Sequence, residues 1–211
     1  AEAITLSGQT SIRWIENKLN KYLNDLLKTD EDYVIAVDTD SVYLNLGPLV
    51  DRFLSKQKDD KEKVVNLLNK VCEEQLEPYI DKCYQHLAEY VNAYDQKMQM
   101  KRENIADRGI WTAKKRYILN VWDNEGVRYV EPKLKMMGIE AVKSSTPAPC
   151  RQYIKECLNI IMTGTETELI EYIETKRAEH ANLPVEQVAF PRSANNLGKF
   201  RDRTTIYGKS T

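Results

Sequence analysis

The sequence has few residues that break regular structure and few that bind metals through nitrogen or sulfur. Its 211 residues include only 8 glycines and 7 prolines, which argues against a sandwich of many short strands and against a disordered chain. Neither the two histidines nor the four cysteines show the close spacing of a zinc site. We therefore expect buried, reduced thiols of the kind found in cytoplasmic proteins.

Long apolar runs are also missing, and so is an overall charge of either sign. No run approaches the length of a membrane helix, and no signal peptide begins at Ala1. These absences predict a cytoplasmic protein with no membrane partner. The formal net charge is −1, but seven basic and two acidic residues lie between Lys97 and Tyr117. That local excess is a candidate electrostatic patch in an otherwise neutral chain.

The hydrophobic patterns predict an α+β fold in which helices back a small antiparallel sheet. Ser7 is expected to cap the first helix, and Pro78 to kink or divide the long helical pattern in the middle of the chain. The predicted helices cover residues 7–28, 47–54, 63–94, 146–162 and 166–181, the second beginning at Gly47-Pro48 and the fourth at Thr146-Pro147. The predicted strands cover residues 33–46 as a hairpin, then 98–105, 110–122 and 127–130, with turns at 107–109 and 123–126.

The most informative stretch is the hairpin from Tyr33 to Leu46. Two runs rich in Val, Ile and Tyr flank a tight Asp38-Thr39-Asp40, with Ser41 directly after it. Asp side chains bond their own backbone in turns, which favours a hairpin here. An extended backbone would point Asp38 and Asp40 to the same side, and paired carboxylates suit Mg²⁺ or Mn²⁺. A solvated turn that carries two charges is the alternative.

The D-T-D-S sequence, followed by an aliphatic residue and Tyr43, resembles the metal-binding motif of the family B (alpha-like) DNA polymerases. That motif usually begins with Tyr-Gly, whereas this chain has Ala36-Val37. Further stretches agree with the family in the same order along the chain. They are Lys101–Ile105, the K-K-R-Y sequence Lys114–Tyr117, the run from Glu131 through Gly138 to Pro147, and Ser193–Asn196.

The resemblance is to replicative polymerases of T-even phages, and it implies a palm fragment followed by a helical thumb portion. The implied domains are the later part of the palm, residues 1–143, and part of the thumb, residues 144–211. In that family the implied activity is template-directed DNA synthesis with two Mg²⁺ ions, or Mn²⁺ in their place. Asp40 would be the principal metal ligand, Asp38 a weaker one, and Glu103 an acidic residue that tunes the catalytic site.

The resemblance also implies partners: primer–template duplex DNA, a deoxynucleoside triphosphate, and the N-terminal and fingers part of the polymerase. A basic tetrad with an aromatic residue beside it can hold backbone phosphates or minor-groove edges, a sequence-independent grip on duplex DNA. A helix N-terminus with a lysine before it can also bind a phosphate. The predicted DNA-binding residues are Thr39, Ser41, Lys114, Lys115, Arg116, Tyr117, Lys135, Lys143, Ser144, Ser145 and Thr146.

Each of these assignments also has an alternative in which the residues play only a structural role. The basic stretch could be a solvated strand face, Glu103 could belong to a structural ion pair, and Thr146 could simply cap a helix. The family's S-L-Y-P-S and N-S-x-Y-G patterns do not occur in the sequence. We therefore expect an incomplete polymerase that is inactive alone and, if phage-encoded, acts in the host cytoplasm. The alternatives are a non-catalytic duplex-binding subunit of a split polymerase and a stand-alone two-metal nuclease.

Overall fold

The computed structural model describes residues 2–193, and they form helices and two small antiparallel sheets. The predicted α+β class is confirmed. The helices are α1 (Glu2–Leu27), α2 (Gly47–Phe53), α3 (Lys61–Val71), α4 (Glu77–Tyr90), α5 (Ala148–Thr163), α6 (Glu166–His180) and α7 (Val185–Val188). The strands are β1 (Val34–Asp38), β2 (Ser41–Leu44), β3 (Asn104–Ala113), β4 (Arg116–Asn124) and β5 (Val127–Met137).

Two compact units can be recognised within residues 2–193: residues 2–109 with 119–135, and residues 110–118 with 136–193. Compactness alone does not identify a palm or a thumb, so the predicted boundary after residue 143 stays a prediction. The predicted thumb segment at 193–196 lies outside the described residues from Ala194 onward. Among the described helices, none has enough length and apolar character to span a membrane.

The core of the first unit is the apolar stripe of α1. Ile15, Leu19 and Leu23 are fully buried and share a hydrophobic cluster with residues of β1 and α4. Burying each such side chain contributes about 1.5–3 kcal/mol. Trp14 Nε1 donates a hydrogen bond to the Cys83 carbonyl at 2.9 Å, which ties α1 to α4. The β1–β2 hairpin therefore rests on a firmly packed helix.

The long helical pattern is divided just before Pro78, as its sequence predicts. A π-helical turn, Cys72–Leu76, separates α3 from α4, and Pro78 lies in the first turn of α4. Proline has no N–H to donate and crowds the preceding turn, so a regular helix cannot continue through it. The π turn therefore marks the point where the regular helix is interrupted, as a single-turn π-bulge within a helix does.

The first helix begins earlier than predicted. It starts at Glu2, and Ser7 lies inside it, where the Ser7 carbonyl accepts a hydrogen bond from Ser11 Oγ at 2.9 Å. The predicted cap at Ser7 is wrong. Ile4 and Leu6 are largely exposed, so the amphipathic stripe alone could not indicate this first turn. Helix-favouring Glu2 and Ala3 extend the helix beyond the packed face.

The sheet prediction needs two corrections. The hairpin and the basic stretch do not share one sheet, because β1–β2 and β3–β4–β5 are separate. In addition, residues 98–103 form no strand, and β3 runs straight through the predicted turn at 107–109. Asp107 accepts hydrogen bonds from Asn120 Nδ2 at 2.8 Å and from Lys61 Nζ at 3.1 Å. These tertiary partners hold Asp107 in a strand although its sequence resembles a turn.

The strand predicted over 110–122 is interrupted by a turn at Lys114-Lys115, between β3 and β4. The second hairpin agrees with the prediction, since β4 and β5 are joined by Glu125-Gly126. Both turn residues have positive φ, 51° and 87°, as a type I′ turn requires. The β5 strand extends past the predicted Val130 to Met137.

The helices of the second unit follow their predicted order. Pro147 rather than Thr146 precedes the first residue of α5, and no side chain caps that end. Thr165 caps α6 in a capping box with Glu168, which matches the start predicted at 166. The Tyr172 hydroxyl on α6 donates to Glu156 on α5. After α6 the chain forms the single turn of α7.

Candidate metal centre and nucleic-acid interface

The D-T-D-S turn is a two-residue connection between β1 and β2. Asp38 pairs with Ser41 across the antiparallel ladder, and Thr39 and Asp40 form the turn. The extended backbone predicted through Asp38 and Asp40 is therefore wrong. Thr39 has a φ of 41°, a left-handed conformation that β-branched residues rarely adopt. Strain of this kind is concentrated at functional sites, where the surrounding structure maintains it.

Two hydroxyl groups of the turn contact Asp38, one at its carboxylate and one at its backbone carbonyl. Thr39 Oγ1 donates to Asp38 Oδ1 at 3.0 Å, and Ser41 Oγ donates to the Asp38 carbonyl at 3.1 Å. Asp38 is half-buried, whereas Thr39 and Asp40 are exposed. The predicted DNA-binding residues Thr39 and Ser41 thus contact Asp38 within the chain. Asp40 is the more accessible of the two carboxylates.

The donor set of this turn fits Mg²⁺ or Mn²⁺. Mg²⁺ is commonly held by one or two carboxylates, with waters and substrate phosphates completing its shell. Asp38 and Asp40 supply two hard oxygen donors of that kind. Within residues 2–193, no three His, Cys, Asp or Glu side chains are grouped so as to hold a metal ion. The hairpin would accordingly contribute part of a metal shell.

Glu103 lies just before β3, in an ion pair. Its Oε1 accepts from Lys135 Nζ at 2.9 Å, and its carbonyl accepts from the Glu125 N–H at 2.6 Å. This contact is an ion pair of the kind that the sequence analysis gave as the alternative role for Glu103. It also engages Lys135, one of the predicted DNA-binding cations. A role for Glu103 near a metal stays a prediction.

The basic K-K-R-Y stretch forms a hairpin turn rather than a continuous strand. Lys114 and Lys115 are the two exposed turn residues between β3 and β4, and Lys115 has a φ of 59°. Gly138 packs directly on this turn, with a φ of 65° of its own. A Cβ at Gly138 would lie 2.2 Å from the Lys115 carbonyl oxygen. Only glycine therefore fits at residue 138, a constraint that sequence patterns did not reveal.

Tyr117 supports the turn from the inside. It is 9% exposed, and its ring centroid lies 6.5 Å from that of Trp111. Packed aromatic pairs at this spacing add stability beyond their buried area. Tyr117 is thus positioned to stabilise the hairpin that presents the two lysines. Because Tyr117 is buried, a packing role is favoured over the predicted direct contact with DNA.

A carboxylate that the sequence analysis did not select lies among the predicted DNA-binding cations. Glu140 accepts from Arg116 Nη2, and it also accepts from Lys143 Nζ at 3.1 Å. A hydrogen bond from its own backbone N–H, then Lys143 and Arg116, holds the pKa of Glu140 below its usual value. In the sequence, Glu140 could be noticed only as an acidic residue between two basic stretches.

The segment before α5 presents polar groups to solvent. Ser144 and Ser145 are exposed in a turn that the Thr146 N–H closes on the Lys143 carbonyl at 3.1 Å. Thr146 itself is 9% exposed. Because no side chain caps α5, free N–H groups at its start could donate hydrogen bonds to a phosphate. That assignment stays a prediction.

Comparison with curated proteins gives two relatives with the same activity in their names. The chain is 41% identical over 209 residues to the DNA-directed DNA polymerase of Escherichia phage RB69, covering 95% of this chain and 23% of that protein. The T4 phage DNA-directed DNA polymerase is 36% identical over 212 residues, which cover 96% of this chain and 24% of that protein. The chain is related to the T-even phage DNA polymerases of family B. The predicted resemblance is confirmed.

The relation to these polymerases extends over almost the whole chain, whereas no family model matches it. The chain spans about a quarter of the length of the curated relatives. The matches to both polymerases cover almost all of this chain, including the D-T-D-S turn and the Lys114-Lys115 turn. The activity of the full-length relatives is therefore only proposed for this chain.

Proposed function

We propose that the chain is the later palm and the first part of the thumb of a family B DNA polymerase. It would contribute to template-directed extension of a primer by deoxynucleoside triphosphates. The observation that supports this most strongly is the 41% identity over 95% of the chain. The strained Asp38-Thr39-Asp40 turn, on a hairpin backed by α1, provides the chemistry that such a fragment needs.

Asp40 and Asp38 are the residues that would hold Mg²⁺, with Asp40 as the principal ligand. Bound ions would favour deprotonation of the primer 3′-hydroxyl and stabilise charge on the leaving pyrophosphate. Thr39 and Ser41 orient Asp38 through its side chain and backbone. Because the described residues lack a third grouped carboxylate, another part of the polymerase would complete the shell. The isolated chain would then be inactive.

Lys114 and Lys115 would grip the primer–template duplex. Both are exposed on a turn whose shape is fixed by Gly138 and whose base is packed by Tyr117. Lysines displace condensed counterions from phosphates without reading bases. A replicative enzyme needs such sequence-independent binding. The exposed Ser144 and Ser145 turn would add hydrogen bonds to the backbone.

A segment exchange would test the catalytic part of this proposal. The matched segment of the RB69 phage polymerase is replaced by this chain, and primer extension is followed with Mg²⁺. We expect extension that stops with EDTA, because the chain would restore the hairpin carboxylates to a complete enzyme. The unaltered RB69 polymerase is the positive control. A folded chimera that binds primer–template but never extends it would favour the non-catalytic binding subunit instead.

Duplex binding by the chain itself tests the DNA-binding part. Lys115→Ala should weaken duplex binding about three- to tenfold for all sequences and reduce the salt slope by about 1. The measurement is fluorescence anisotropy of a labelled duplex over a series of salt concentrations. Lys82→Ala is the matched control, since Lys82 is exposed on α4. An unchanged salt slope in Lys115→Ala would count against the grip.

A further inference from the structure

Glu140 bridges two cations that come from different parts of the second unit. Arg116 begins β4, and Lys143 follows the short 3₁₀ turn Glu140–Val142. Glu140 Oε2 accepts from Arg116 Nη2, and Oε1 accepts from Lys143 Nζ at 3.1 Å. The carboxylate therefore divides its two oxygens between two partners. It does not make the two-pronged pair with one arginine that is strongest in proteins.

This arrangement matches what a phosphate would do in the same place. A phosphate carries several acceptor oxygens, and it also bridges an arginine and a lysine well. Arg116 has guanidinium donors beyond Nη2, and its side chain is partly exposed. A larger anion with more oxygens would use more of this capacity. The carboxylate leaves it partly unused.

The three side chains are accessible enough to exchange partners. Arg116, Glu140 and Lys143 side chains are 39%, 42% and 46% exposed. Exposed ion pairs contribute little to stability because water screens both charges, so an incoming phosphate could replace the carboxylate at small cost. A glutamate is already ionised at neutral pH, and the neighbouring cations lower the pKa of Glu140 further, so its carboxylate competes with a phosphate whenever DNA would bind. Gly138, two residues earlier, anchors the backbone at this point.

We propose that Arg116 and Lys143 form a binding position for one backbone phosphate of the duplex, which the Glu140 carboxylate occupies in the free chain. This inference rests on the proposed duplex-binding function. DNA binding moves both cations from Glu140 to the phosphate. Glu140 then remains nearby as a negative charge that weakens the complex. It sets a lower affinity than the basic residues alone would give, which suits an enzyme that must move along its template.

The test is duplex binding by the Glu140→Gln chain, because glutamine keeps the shape of glutamate and removes its charge. We expect about fivefold tighter binding and a salt slope steeper by about 1. Glu174→Gln is the matched control, since Glu174 is exposed on α6 in the same unit and the change in charge is identical. It should leave binding nearly unchanged. Anisotropy titrations at several salt concentrations give both quantities.

A second set of variants shows which cations carry the effect. Arg116→Gln and Lys143→Gln should each weaken binding and flatten the salt slope. The gain from Glu140→Gln should be lost when both cations are also replaced, as coupled neighbours require. Circular dichroism of each variant establishes that it is folded.

The outcomes separate the two proposals. Weaker or unchanged binding by folded Glu140→Gln would overturn the phosphate position, and so would an equal gain in Glu174→Gln. In either case the Lys115→Ala result could still support duplex binding. Absence of duplex binding by the unaltered chain would overturn the DNA-binding part of the proposed function, and the phosphate position with it, whereas primer extension by the chimera tests the catalytic part separately.

Discussion

Asp40→Asn should slow primer extension in the RB69 chimera by roughly 10³-fold while leaving primer–template binding nearly intact. Asparagine keeps the size of the side chain but removes the negative charge that a divalent cation requires. Metal ions supply several kcal/mol of stabilisation to the developing charge in phosphoryl transfer. Losing about 4 kcal/mol corresponds to a rate reduction of roughly 10³-fold. Duplex binding should persist because Asp40 is on an exposed turn that bears no lysine.

Single-turnover extension and anisotropy on the same primer–template separate these effects. Asp59→Asn is the matched control, since Asp59 is also an exposed aspartate in a turn and should extend normally. Asp38→Asn should lose less activity than Asp40→Asn, as Asp38 already has Thr39 and Ser41 contacts inside the chain. Extension by Asp40→Asn at the control rate would show that the hairpin is not part of the catalytic site.

The hairpin could be predicted because its signals are local. Two β-rich runs around an Asp-rich joint specify both strands and the turn between them. The path of the backbone at Thr39 could not be predicted, since a positive φ in a β-branched residue contradicts its own preference. The strand break at Lys114-Lys115 was missed for a similar reason. Its geometry depends on Gly138, which is 23 residues later than Lys115.

The contacts among charged residues were the least predictable part of the candidate site. Glu103 and Lys135 are 32 positions apart, and Arg116 and Glu140 are 24 apart. A sequence pattern carries no information on such pairs until the sheet brings them together. Individual cations could be selected from the basic excess, but not the carboxylates that they contact. The predicted DNA-binding residues were therefore chosen by residue type alone, and nothing in the sequence indicated that Glu140 lies among them.

Asp123→Ala should produce the largest loss of stability of any single change considered for this chain. Asp123 is 1% exposed, and it accepts hydrogen bonds from Arg102 Nη1, from Arg128 Nε at 3.1 Å and from the Gly126 N–H at 2.9 Å. Removing one partner of a buried ion pair costs about 3–5 kcal/mol, because the remaining charge is left uncompensated. The loss would also release the type I′ turn at Gly126.

Urea unfolding followed by tryptophan fluorescence measures this loss. Asp81→Ala is the matched control, since Asp81 is exposed on α4 and should change the free energy of unfolding by less than about 0.5 kcal/mol. Asp123→Asn should lie between the wild type and Asp123→Ala, because asparagine can still accept one bond. A free energy of unfolding for Asp123→Ala within error of Asp81→Ala would mean that the buried cluster contributes nothing to folding.

The pH dependence of stability gives the same carboxylate a second signature. Burial alone would raise the pKa of Asp123, but the Gly126 N–H, Arg128 and Arg102 outweigh it and hold the pKa below the ordinary value of 3.8. A carboxyl group with a lowered pKa contributes its full stabilisation above pH 3.8 and loses it as the pH falls toward the folded-state pKa. The stability difference between wild type and Asp123→Asn should therefore be constant at neutral pH and shrink below 3.8. A difference that grew on acidification would mean that Asp123 is destabilised by burial rather than stabilised by its arginines.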